Sequence, residues 1–356
     1  ATIAPGVARH GTYDVLLRDG KTQATLHGRA VRDAAPERGN HPLVIISHGH
    51  PGSRYLMSHL AENLASKGYV VVSIDHTDST YDDQLFASTL YNRPFDQLFV
   101  LNEVARLGAP NSGNFLSGLV DVSRTGIVGY SMGGYGVVNV VGAGFADAAA
   151  AFNGAPPNGL LKDRAASNPT FRASLDPRIK AAIAIGPWGM QLGYWDAEGL
   201  KGIRTPVLFI AGSADDVSGY EKGTRAIFEG AVNADRYLLT FSDANHNAAA
   251  PYPAPVESIE GPATAAFSHH ADPVWDTVRM NNVLQHFASA YFGQYLLGDA
   301  ALQAYFDLVP NGREATWATD REGRPQPGHT YWKGFKRGTA RGLVLEHRAP
   351  APPSSR

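Results

Sequence analysis

The segment at residues 129–133, with the sequence Gly-Tyr-Ser-Met-Gly, constrains the fold of this chain more than any other. It fits Gly-x-Ser-x-Gly, a sharp turn between a strand and a helix that holds a serine hydroxyl clear of the backbone. Side chains at the two glycine positions would collide with the neighbouring strand and helix. An apolar, β-branched run at residues 125–128 enters the turn, and a helical run at residues 137–141 leaves it. The pattern alone is weak in a chain with 38 glycines, but this context predicts a nucleophile elbow with Ser131 at its tip.

The composition excludes several classes of function. At 356 residues the chain is long enough for one large α/β domain or two small ones. A formal net charge of -2 argues against nucleic acid or an anionic membrane as the main partner, and no apolar stretch is long enough to span a bilayer. The absence of cysteine removes disulfides, thiolate nucleophiles and cysteine-bound metals. The chain begins at Ala1, which is compatible with either a cleaved leader or a trimmed initiator methionine. The location, cytoplasmic or exported, therefore stays unknown.

Strands and helices alternate along the chain, which predicts an α/β fold with a mostly parallel central sheet flanked by helices. Residues 12–17 and 22–31 are expected to form an opening antiparallel pair. Later strands are predicted at residues 43–47, 69–74, 179–185, 206–211 and 236–241, and in the run that leads into Ser131. Helices are predicted at residues 55–67, 95–107 and 274–297.

Three stretches depart from this alternation. Residues 143–178 follow the elbow helix, are rich in Ala, Asn and Pro, and are interpreted as a small cap insertion over the site. Residues 247–273 form a Pro- and Ala-rich loop. Residues 299–356 form a C-terminal extension whose Pro- and Ser-rich end is expected to be disordered. We therefore expect one hydrolase domain at residues 1–298, with this cap and this extension.

A serine nucleophile needs a base to take its proton and an acid to orient that base. The strand at residues 206–211 runs into Gly-Ser-Ala-Asp-Asp, which places Asp215 and Asp216 at the carboxyl end of a strand. The next strand runs into Ser-Asp-Ala-Asn-His, which places His246 just beyond it. Ser, then Asp, then His is the chain order of α/β-hydrolases, so the predicted triad is Ser131, Asp215 and His246.

The two adjacent acids leave a choice. Asp215 precedes Val217 by two residues, the commoner arrangement at this turn, so it is the favoured acid and Asp216 is the alternative. Whichever of the two does not belong to the triad is interpreted as a solvent-exposed carboxylate of the turn. Among the other histidines, His269 and His270 lie in the irregular loop and are expected at the surface. Their closeness to Trp275 leaves a role in lining the pocket open.

The negative charge of an acyl-transfer intermediate needs two backbone N–H donors. One is expected at Met132, directly after the nucleophile, and the other at His50, in the loop after the strand at residues 43–47. His48 and His50, with Asp75 or His76, could instead bind a metal. No further cluster at ligand spacing completes such a set, so we expect neither a metal nor a cofactor.

With these residues in place, the chain resembles α/β-hydrolases of the dienelactone hydrolase, platelet-activating-factor acetylhydrolase and cutinase-like polyesterase group. Residues 47–50 with Arg54 are similar to the oxyanion loop of the acetylhydrolases, and residues 76–79 to the turn after their next strand. The stretches that resemble the cutinase-like polyesterases are residues 179–183, 186–188 and 205–210. The resemblance covers residues 40–250 and implies an α/β-hydrolase fold and serine hydrolase chemistry, with Trp188 lining the acyl or aromatic subsite.

The chain also departs from these families. The acetylhydrolases place their acid after the strand that ends here at Gly186, where this chain has no carboxylate, and this favours Asp215. Bacterial polyesterases usually carry a C-terminal disulfide, which this chain cannot form. Residues 143–178 and 299–356 are additions that distinguish it from a polyesterase with an open surface cleft. Dienelactone hydrolases proper use a cysteine nucleophile, so their lactone hydrolysis is not implied.

Aromatic residues lie close in sequence to the predicted site. Trp188 and Tyr130 are the candidates for an apolar acyl or aryl pocket, whereas Tyr135, Tyr194, Trp195 and Tyr220 fit core packing equally well. We therefore predict a serine carboxylic ester hydrolase, of type EC 3.1.1, acting through an acyl-enzyme on a small or medium, apolar or aromatic ester. The alternatives are an amidase or peptidase with the same triad, or a non-catalytic binding protein on a hydrolase scaffold. The oligomeric state stays open.

Overall fold

The computed structural model of the protein describes residues 11–151, 154–260 and 264–352. Its strands are β1 (Thr12–Leu16), β2 (Gln23–His27), β3 (His41–Ser47), β4 (Val70–Ile74), β5 (Val120–Tyr130), β6 (Ile179–Ile185), β7 (Val207–Gly212), β8 (Arg236–Phe241) and β9 (Leu343–Arg348). Its α-helices are α1 (Ser58–Ala65), α2 (Phe86–Gly108), α3 (Met132–Val140), α4 (Pro169–Ala173), α5 (Ala197–Leu200), α6 (Ala226–Gly230), α7 (Val256–Ile259) and α8 (Thr277–Leu297). Short 3-10 turns lie at Asp147–Ala151, Pro157–Arg164, Met190–Leu192, Thr264–His269 and Ala300–Tyr305, and a π-helical turn at Tyr220–Arg225.

The central sheet has the strand order β4-β3-β5-β6-β7-β8-β9. The pairs from β4 to β8 are parallel, and β9 is antiparallel to β8. The strands β1 and β2 form a separate antiparallel hairpin. This confirms the predicted α/β architecture with a mostly parallel sheet. Because parallel strands end at the same edge, the segments that follow β3, β5, β7 and β8 meet there.

Helices cover both faces of this sheet. Side chains alternate along a strand, so Val44 and Ile46 of β3 pack on the face that α1 and α8 cover, while Leu43 and Ile45 pack on the face that α2 and α3 cover. Fully burying each such aliphatic side chain stabilises the fold by about 1.5–3 kcal/mol. The sheet is therefore fixed from both sides, which holds its loop-bearing edge in place. None of the helices in the described residues is both long enough and apolar enough to cross a membrane.

Helix α2 begins at Phe86, well before the predicted start at residue 95. The predicted start was too late because Pro94, which usually marks a helix boundary, lies inside the helix. A proline lacks the N–H that would bond to the carbonyl four residues earlier, here that of Leu90. The Tyr135 hydroxyl donates to this carbonyl at 2.8 Å and satisfies it. A contact from a distant helix therefore makes the interior proline tolerable, which sequence periodicity does not reveal.

The C-terminal segment is part of the same core. Strand β9 pairs with β8 along its whole length, and Phe306, Trp332 and Leu343 are buried. The sequence did not indicate this strand, because its alternating residues follow a long irregular stretch. The end expected to be disordered includes residues 353–356, which lie outside the described residues.

The predicted cap region consists of short helical turns and α4. Its apolar side chains face inward: Leu161 and Phe171 are buried, and the ring of Phe145 stacks on Tyr135 at 5.3 Å between centroids. The segment is therefore anchored to the elbow helix. That it forms a cap over the site stays a prediction.

Candidate active site

The turn at Ser131 has the strained geometry that the glycine pattern predicts. Ser131 has a φ of 54° and a ψ of -114°, in a region that non-glycine residues rarely adopt. A Cβ on Gly129 would lie 2.2 Å from the carbonyl oxygen of Gly133, and one on Gly133 would lie 2.1 Å from that of Ser47. Both distances are too short for any side chain. The glycines thus let helix α3 leave the turn directly against β3.

Three side chains from different strand ends form one hydrogen-bonded chain. The Oγ of Ser131 lies 2.9 Å from Nε2 of His246. The Nδ1 of His246 lies 3.0 Å and 2.9 Å from the two carboxylate oxygens of Asp215. The exposed fractions of Ser131, Asp215 and His246 are 8%, 6% and 9%. The fold therefore brings the three predicted triad residues together in a nearly dry environment.

The carboxylate of Asp215 is held in its ionised form. Burial raises its pKa, but the hydrogen bond and charge of His246 and the backbone N–H groups of Ser218 and Val217 outweigh this, and the net pKa is lowered. These two N–H groups donate to Oδ1 at 2.8 Å and 2.9 Å. Asp216 is exposed and makes no hydrogen bond to His246. In this geometry Asp215, rather than Asp216, orients the imidazole.

The two predicted N–H donors flank Ser131. Met132 begins α3, and the first N–H groups of a helix have no acceptor within it. The loop at His50 approaches from the other side: a Cβ on the adjacent Gly49 would lie 3.2 Å from the Cβ of Ser131. Burial, together with the charges of Arg93 and Arg18, lowers the pKa of the His50 side chain to about 4. That ring is therefore neutral near pH 7, and the role of its backbone N–H stays a prediction.

A buried arginine supports the loop that contains His50. Arg93 of α2 is fully buried, and its guanidinium donates to the carbonyl oxygen of His48 and to the hydroxyl of Ser79. The Ser79 hydroxyl in turn lies 2.9 Å from Nδ1 of His50. Burial lowers the pKa of Arg93 to about 9, an effect that the charge of Asp96 partly offsets. The loop is thus tied to the core by a cation that the sequence analysis did not single out.

The histidines considered as metal ligands are engaged with protein atoms. Nδ1 of His48 donates to the Gly49 carbonyl at 2.7 Å, and its Nε2 accepts the N–H of His76 at 3.2 Å. The ring of His76 lies 2.8 Å from Asp96 Oδ2 and 2.8 Å from Ser47 Oγ. Within the described residues, no group of three or more His, Cys, Asp or Glu side chains is arranged to hold a metal. These imidazoles therefore act in the structure as hydrogen-bonding groups of the loop.

A cavity of about 280 Å³ opens beside Ser131. Besides the serine, its lining consists of Arg18, Gly49, His50, Pro51, Tyr130, Asp216, Val217, Asn245, His246, Asn247, Ser268 and His269. Tyr130, one of the two predicted pocket residues, lies in this wall, and its hydroxyl donates to Asn247 Oδ1 at 3.1 Å. Its ring lies 5.1 Å from that of His246 and covers one side of the imidazole.

Trp188, the other predicted pocket residue, lies next to this cavity rather than in its lining. Its backbone N–H donates to the carbonyl of Ser131 at 3.1 Å. Its half-buried ring packs on Phe86 and Tyr194, at 5.4 Å and 5.3 Å between centroids. A role for Trp188 in an adjoining acyl subsite stays a prediction.

The expectation that His269 and His270 lie at the surface is wrong, because both are buried. The side-chain amide of Asn247 donates to the carbonyls of Ser268 and Ala271, each at 2.7 Å, and draws this loop against the site. The pocket-lining role left open for the pair applies to His269. No local pattern marks such a contact, because it depends on where the loop after β8 folds back.

Known proteins are similar to parts of this chain. A family model described as PET hydrolase-like matches residues 30–171. The chain is 22% identical over 211 residues to cutinase est1 of Thermobifida alba, covering 59% of this chain and 55% of that protein. It is 24% identical over 182 residues to cutinase 2 of Thermobifida cellulosilytica, covering 51% of each. The same identity and length are found with cutinase cut1 of Thermobifida fusca, covering 51% of this chain and 42% of that protein. The chain thus spans about half the length of the curated relatives it matches.

Proposed function

We propose that this chain, which has the α/β-hydrolase fold and resembles the PET hydrolase-like family and the cutinases, is a serine carboxylic ester hydrolase. The observation that carries the proposal is the unbroken hydrogen-bonded chain from Asp215 through His246 to Ser131 beside a cavity. Each link has the length of an ordinary hydrogen bond, as a nucleophile, base and orienting acid require.

In the first half of the reaction, Ser131 Oγ attacks the acyl carbon of the ester and transfers its proton to His246 Nε2. The tetrahedral intermediate then collapses, and His246 passes that proton to the oxygen of the departing alcohol. Asp215 accepts the Nδ1 proton throughout, which keeps Nε2 free for the transfer and stabilises the imidazolium that forms. In the second half, water takes the place of the alcohol, and the acid is released from Ser131.

The intermediate carries a negative charge on the former carbonyl oxygen. We assign the N–H groups of Met132 and His50 as its donors, since each lies on a segment next to Ser131. Preorganised donors of this kind contribute about 2.7–4 kcal/mol each to lowering the barrier. The buried Arg93, which donates to the neighbouring His48 carbonyl, supports the position of this loop.

The cavity of about 280 Å³ fits a small or medium ester. The half-exposed aromatic surface at Phe86 and Trp188 is suited to an apolar or aromatic acyl group. The matched relatives are cutinases, which supports an ester substrate over an amide.

The proposal is tested with p-nitrophenyl esters from acetate to octanoate and with the matched p-nitroanilides. We expect wild type to hydrolyse the esters and Ser131→Ala to be as slow as the blank, while Ser112→Ala, at an exposed loop, keeps wild-type activity. A phosphonate probe should attach covalently to Ser131, and mass spectrometry of the digested protein can identify the labelled residue. Faster hydrolysis of anilides than of esters would favour an amidase, and full activity in Ser131→Ala would exclude this mechanism.

A further inference from the structure

Six of the residues that line the cavity with His246 are polar or charged, and together we call them the polar wall: Arg18, Asp216, Asn245, Asn247, Ser268 and His269. Tyr130, Val217 and Pro51 line the same cavity. An apolar group bound against this wall would separate polar atoms from water without offering them new partners, which is unfavourable. The wall therefore fits a polar part of a substrate better than a hydrocarbon chain.

Arg18 reaches this wall from the hairpin between β1 and β2. The neighbouring Leu17 is fully buried, and its N–H donates to the Thr22 carbonyl at 2.9 Å, which closes the turn. The carboxylate of Asp19, the nearest anion in sequence, accepts from the backbone N–H groups of Lys21 and Thr22 at 3.0 Å and 2.9 Å. The turn is thus rigid, and the Asp19 carboxylate is engaged within the turn.

The guanidinium of Arg18, an exposed residue, contacts the buried side chain of His269, which the buried Tyr81 in turn holds in place. Nη1 of Arg18 donates to Nδ1 of His269 at 3.2 Å, and Nε2 of His269 lies 3.0 Å from the hydroxyl of Tyr81. Because Nδ1 accepts, the ring proton must sit on Nε2 and point to Tyr81. Burial, with the charges of His270 and Arg18, lowers the pKa of His269 well below its ordinary value, so this ring is neutral near pH 7.

The positive charge of Arg18 has no close anion. Among the described residues, no carboxylate lies within 4.0 Å of its guanidinium nitrogens, and its side-chain partner is the neutral His269. A guanidinium has five N–H donors, so donors remain free to bind a ligand at the cavity. An oriented arginine with free donors is suited to binding a carboxylate through two parallel hydrogen bonds.

The position of this wall also indicates which part of an ester it contacts. His246 must deliver its proton to the oxygen of the departing alcohol, so the alcohol part lies on the side of His246. Asn245 and Asn247 flank His246 in the chain, and Asn247 binds the loop that carries His269. The acyl part is then assigned to the ring surface of Trp188 and Phe86, because Trp188 contacts Ser131 through its backbone N–H and lies outside this lining.

We propose that Arg18 binds an anionic group, above all a carboxylate, on the alcohol part of the ester, so that the preferred substrates are O-acylated hydroxy acids. This inference rests on the proposed ester hydrolysis. Asp216 lines the same cavity and repels an anion, but it makes no ion pair with Arg18. A direct contact with two hydrogen bonds exceeds the repulsion of an exposed carboxylate farther away, which water screens.

The test compares 4-acetoxybenzoate with its methyl ester, which share an acetyl group and differ by one negative charge on the leaving phenol. The ratio of their kcat/KM values is measured for wild type, Arg18→Gln and Arg18→Lys. Dividing each ratio by that of wild type cancels the difference in intrinsic reactivity. The control is Lys21→Gln, which removes an exposed cation from the same turn but outside the cavity lining.

We expect Arg18→Gln to lower this ratio about tenfold, chiefly through KM for the charged ester, which corresponds to about 1.4 kcal/mol. The ratio for Arg18→Lys should fall between those of wild type and Arg18→Gln, because lysine keeps the charge but lacks the planar pair of donors. Lys21→Gln should leave the ratio unchanged. An unchanged ratio in Arg18→Gln would overturn the proposal. An equal loss in Lys21→Gln would also overturn it, because the effect would then come from the overall charge of the protein and not from a contact with Arg18.

A binding measurement separates this proposal from the proposed function. If wild type hydrolyses neither ester faster than Ser131→Ala, the hydrolase assignment fails. Calorimetric titration with 4-hydroxybenzoate and its methyl ester then tests Arg18 without turnover. Tighter binding of the carboxylate by wild type, weakened about tenfold in Arg18→Gln, supports the anion site. Equal binding of both compounds, or no effect of the substitution, overturns it.

Discussion

His246 donates its Nδ1 proton to a carboxylate of Asp215 whose two oxygens lie at nearly equal distances, 3.0 Å and 2.9 Å. This shared contact fixes the ring and the tautomer together, because Nδ1 must carry the proton. Nε2 is then free to accept the proton of Ser131, 2.9 Å away. The geometry makes the tautomer of His246 depend on one carboxylate, and the effect of removing that carboxylate on the reaction can be measured.

Replacing Asp215 by Asn should lower kcat by about 10³- to 10⁴-fold, because an amide can donate to Nδ1 and stabilise the wrong tautomer. Asp216→Asn is the matched substitution at the adjacent residue, which makes no hydrogen bond to His246. The two variants are compared in steady-state assays with p-nitrophenyl butyrate. A larger loss in Asp216→Asn than in Asp215→Asn would contradict the assignment of the acid.

Replacing Arg93 by Met should weaken both the fold and the reaction. The buried His48 carbonyl and Ser79 hydroxyl would lose their donor, which destabilises the protein by on the order of 3 kcal/mol. The loop with His50 would also loosen, so kcat should fall more than KM changes. Arg164→Met is the control, because Arg164 is equally a buried arginine, but it binds Asn139 instead of the loop.

Urea unfolding and steady-state kinetics of the two arginine variants distinguish these effects. Loss of stability in both with loss of kcat in Arg93→Met alone is the expected pattern. Equal kcat values would mean that Arg93 serves only the stability of the fold.

Asp96 should make stability fall with rising pH. Burial and the charge of Asp78 raise its pKa to about 6, although Arg93 acts in the opposite direction. The folded chain therefore holds this proton more tightly than the unfolded chain, in which a carboxyl titrates near pH 4. Between about pH 4 and pH 6 wild type should lose stability relative to Asp96→Asn, which stays neutral.

The measurement is the Tm of wild type and Asp96→Asn across this range, with Asp83→Asn at an exposed site as the control. The Tm of wild type should fall relative to that of Asp96→Asn as the pH rises. The difference between the two Tm values should become constant above the folded-state pKa of Asp96. A gap that is constant with pH would show that this carboxyl does not titrate as its surroundings indicate.

Gly133→Ala should prevent correct folding of the elbow. Its Cβ would lie 2.1 Å from the Ser47 carbonyl, a backbone atom that cannot turn aside, so we expect a loss of more than about 4 kcal/mol or an insoluble protein. Gly113→Ala is the contrast: that residue has a φ of 72° but open space around it, so the loss should be about 1–2 kcal/mol. Chemical unfolding of both variants checks the difference, and a folded, active Gly133→Ala would refute the close approach of α3 to β3.

Trp188→Ala should reduce the preference for aromatic acyl groups. Its ring packs on Phe86 beside Ser131, so its loss should lower kcat/KM for p-nitrophenyl benzoate by about tenfold, with a smaller effect on the acetate. Trp317→Ala, in the C-terminal segment, is the control for losing an indole. Equal effects of Trp188→Ala on both esters would argue against a subsite for the acyl group.

The parts of the site that follow strands were predictable from sequence. Ser131, Asp215 and His246 follow the ends of apolar strands by one, three and five residues, and the parallel sheet then brings their positions to one edge. Local patterns carry this information because a strand and the turn after it are continuous in the chain. The same holds for Gly133, whose need for a small residue is part of the turn itself.

The supporting residues were not predictable in this way. Arg93 lies on a helix and acts on a loop 45 residues earlier, and Arg18 meets His269 across 251 residues. The first turns of α2 were not predicted because Pro94 lies inside the helix. The donor that satisfies the carbonyl left free by this proline, the Tyr135 hydroxyl, is on another helix. Each depends on where two remote segments pack, which no local spacing encodes.

Strand β9 has a consequence for how the protein is made. It covers the outer edge of β8, and β8 leads into the loop that holds His246. A nascent chain released before Leu343 already contains Ser131, Asp215 and His246, yet its sheet ends in a bare edge that attracts other chains. A product terminated before β9 would therefore be exposed to edge-to-edge aggregation, so that translation must pass Arg348 before the edge of β8 is covered.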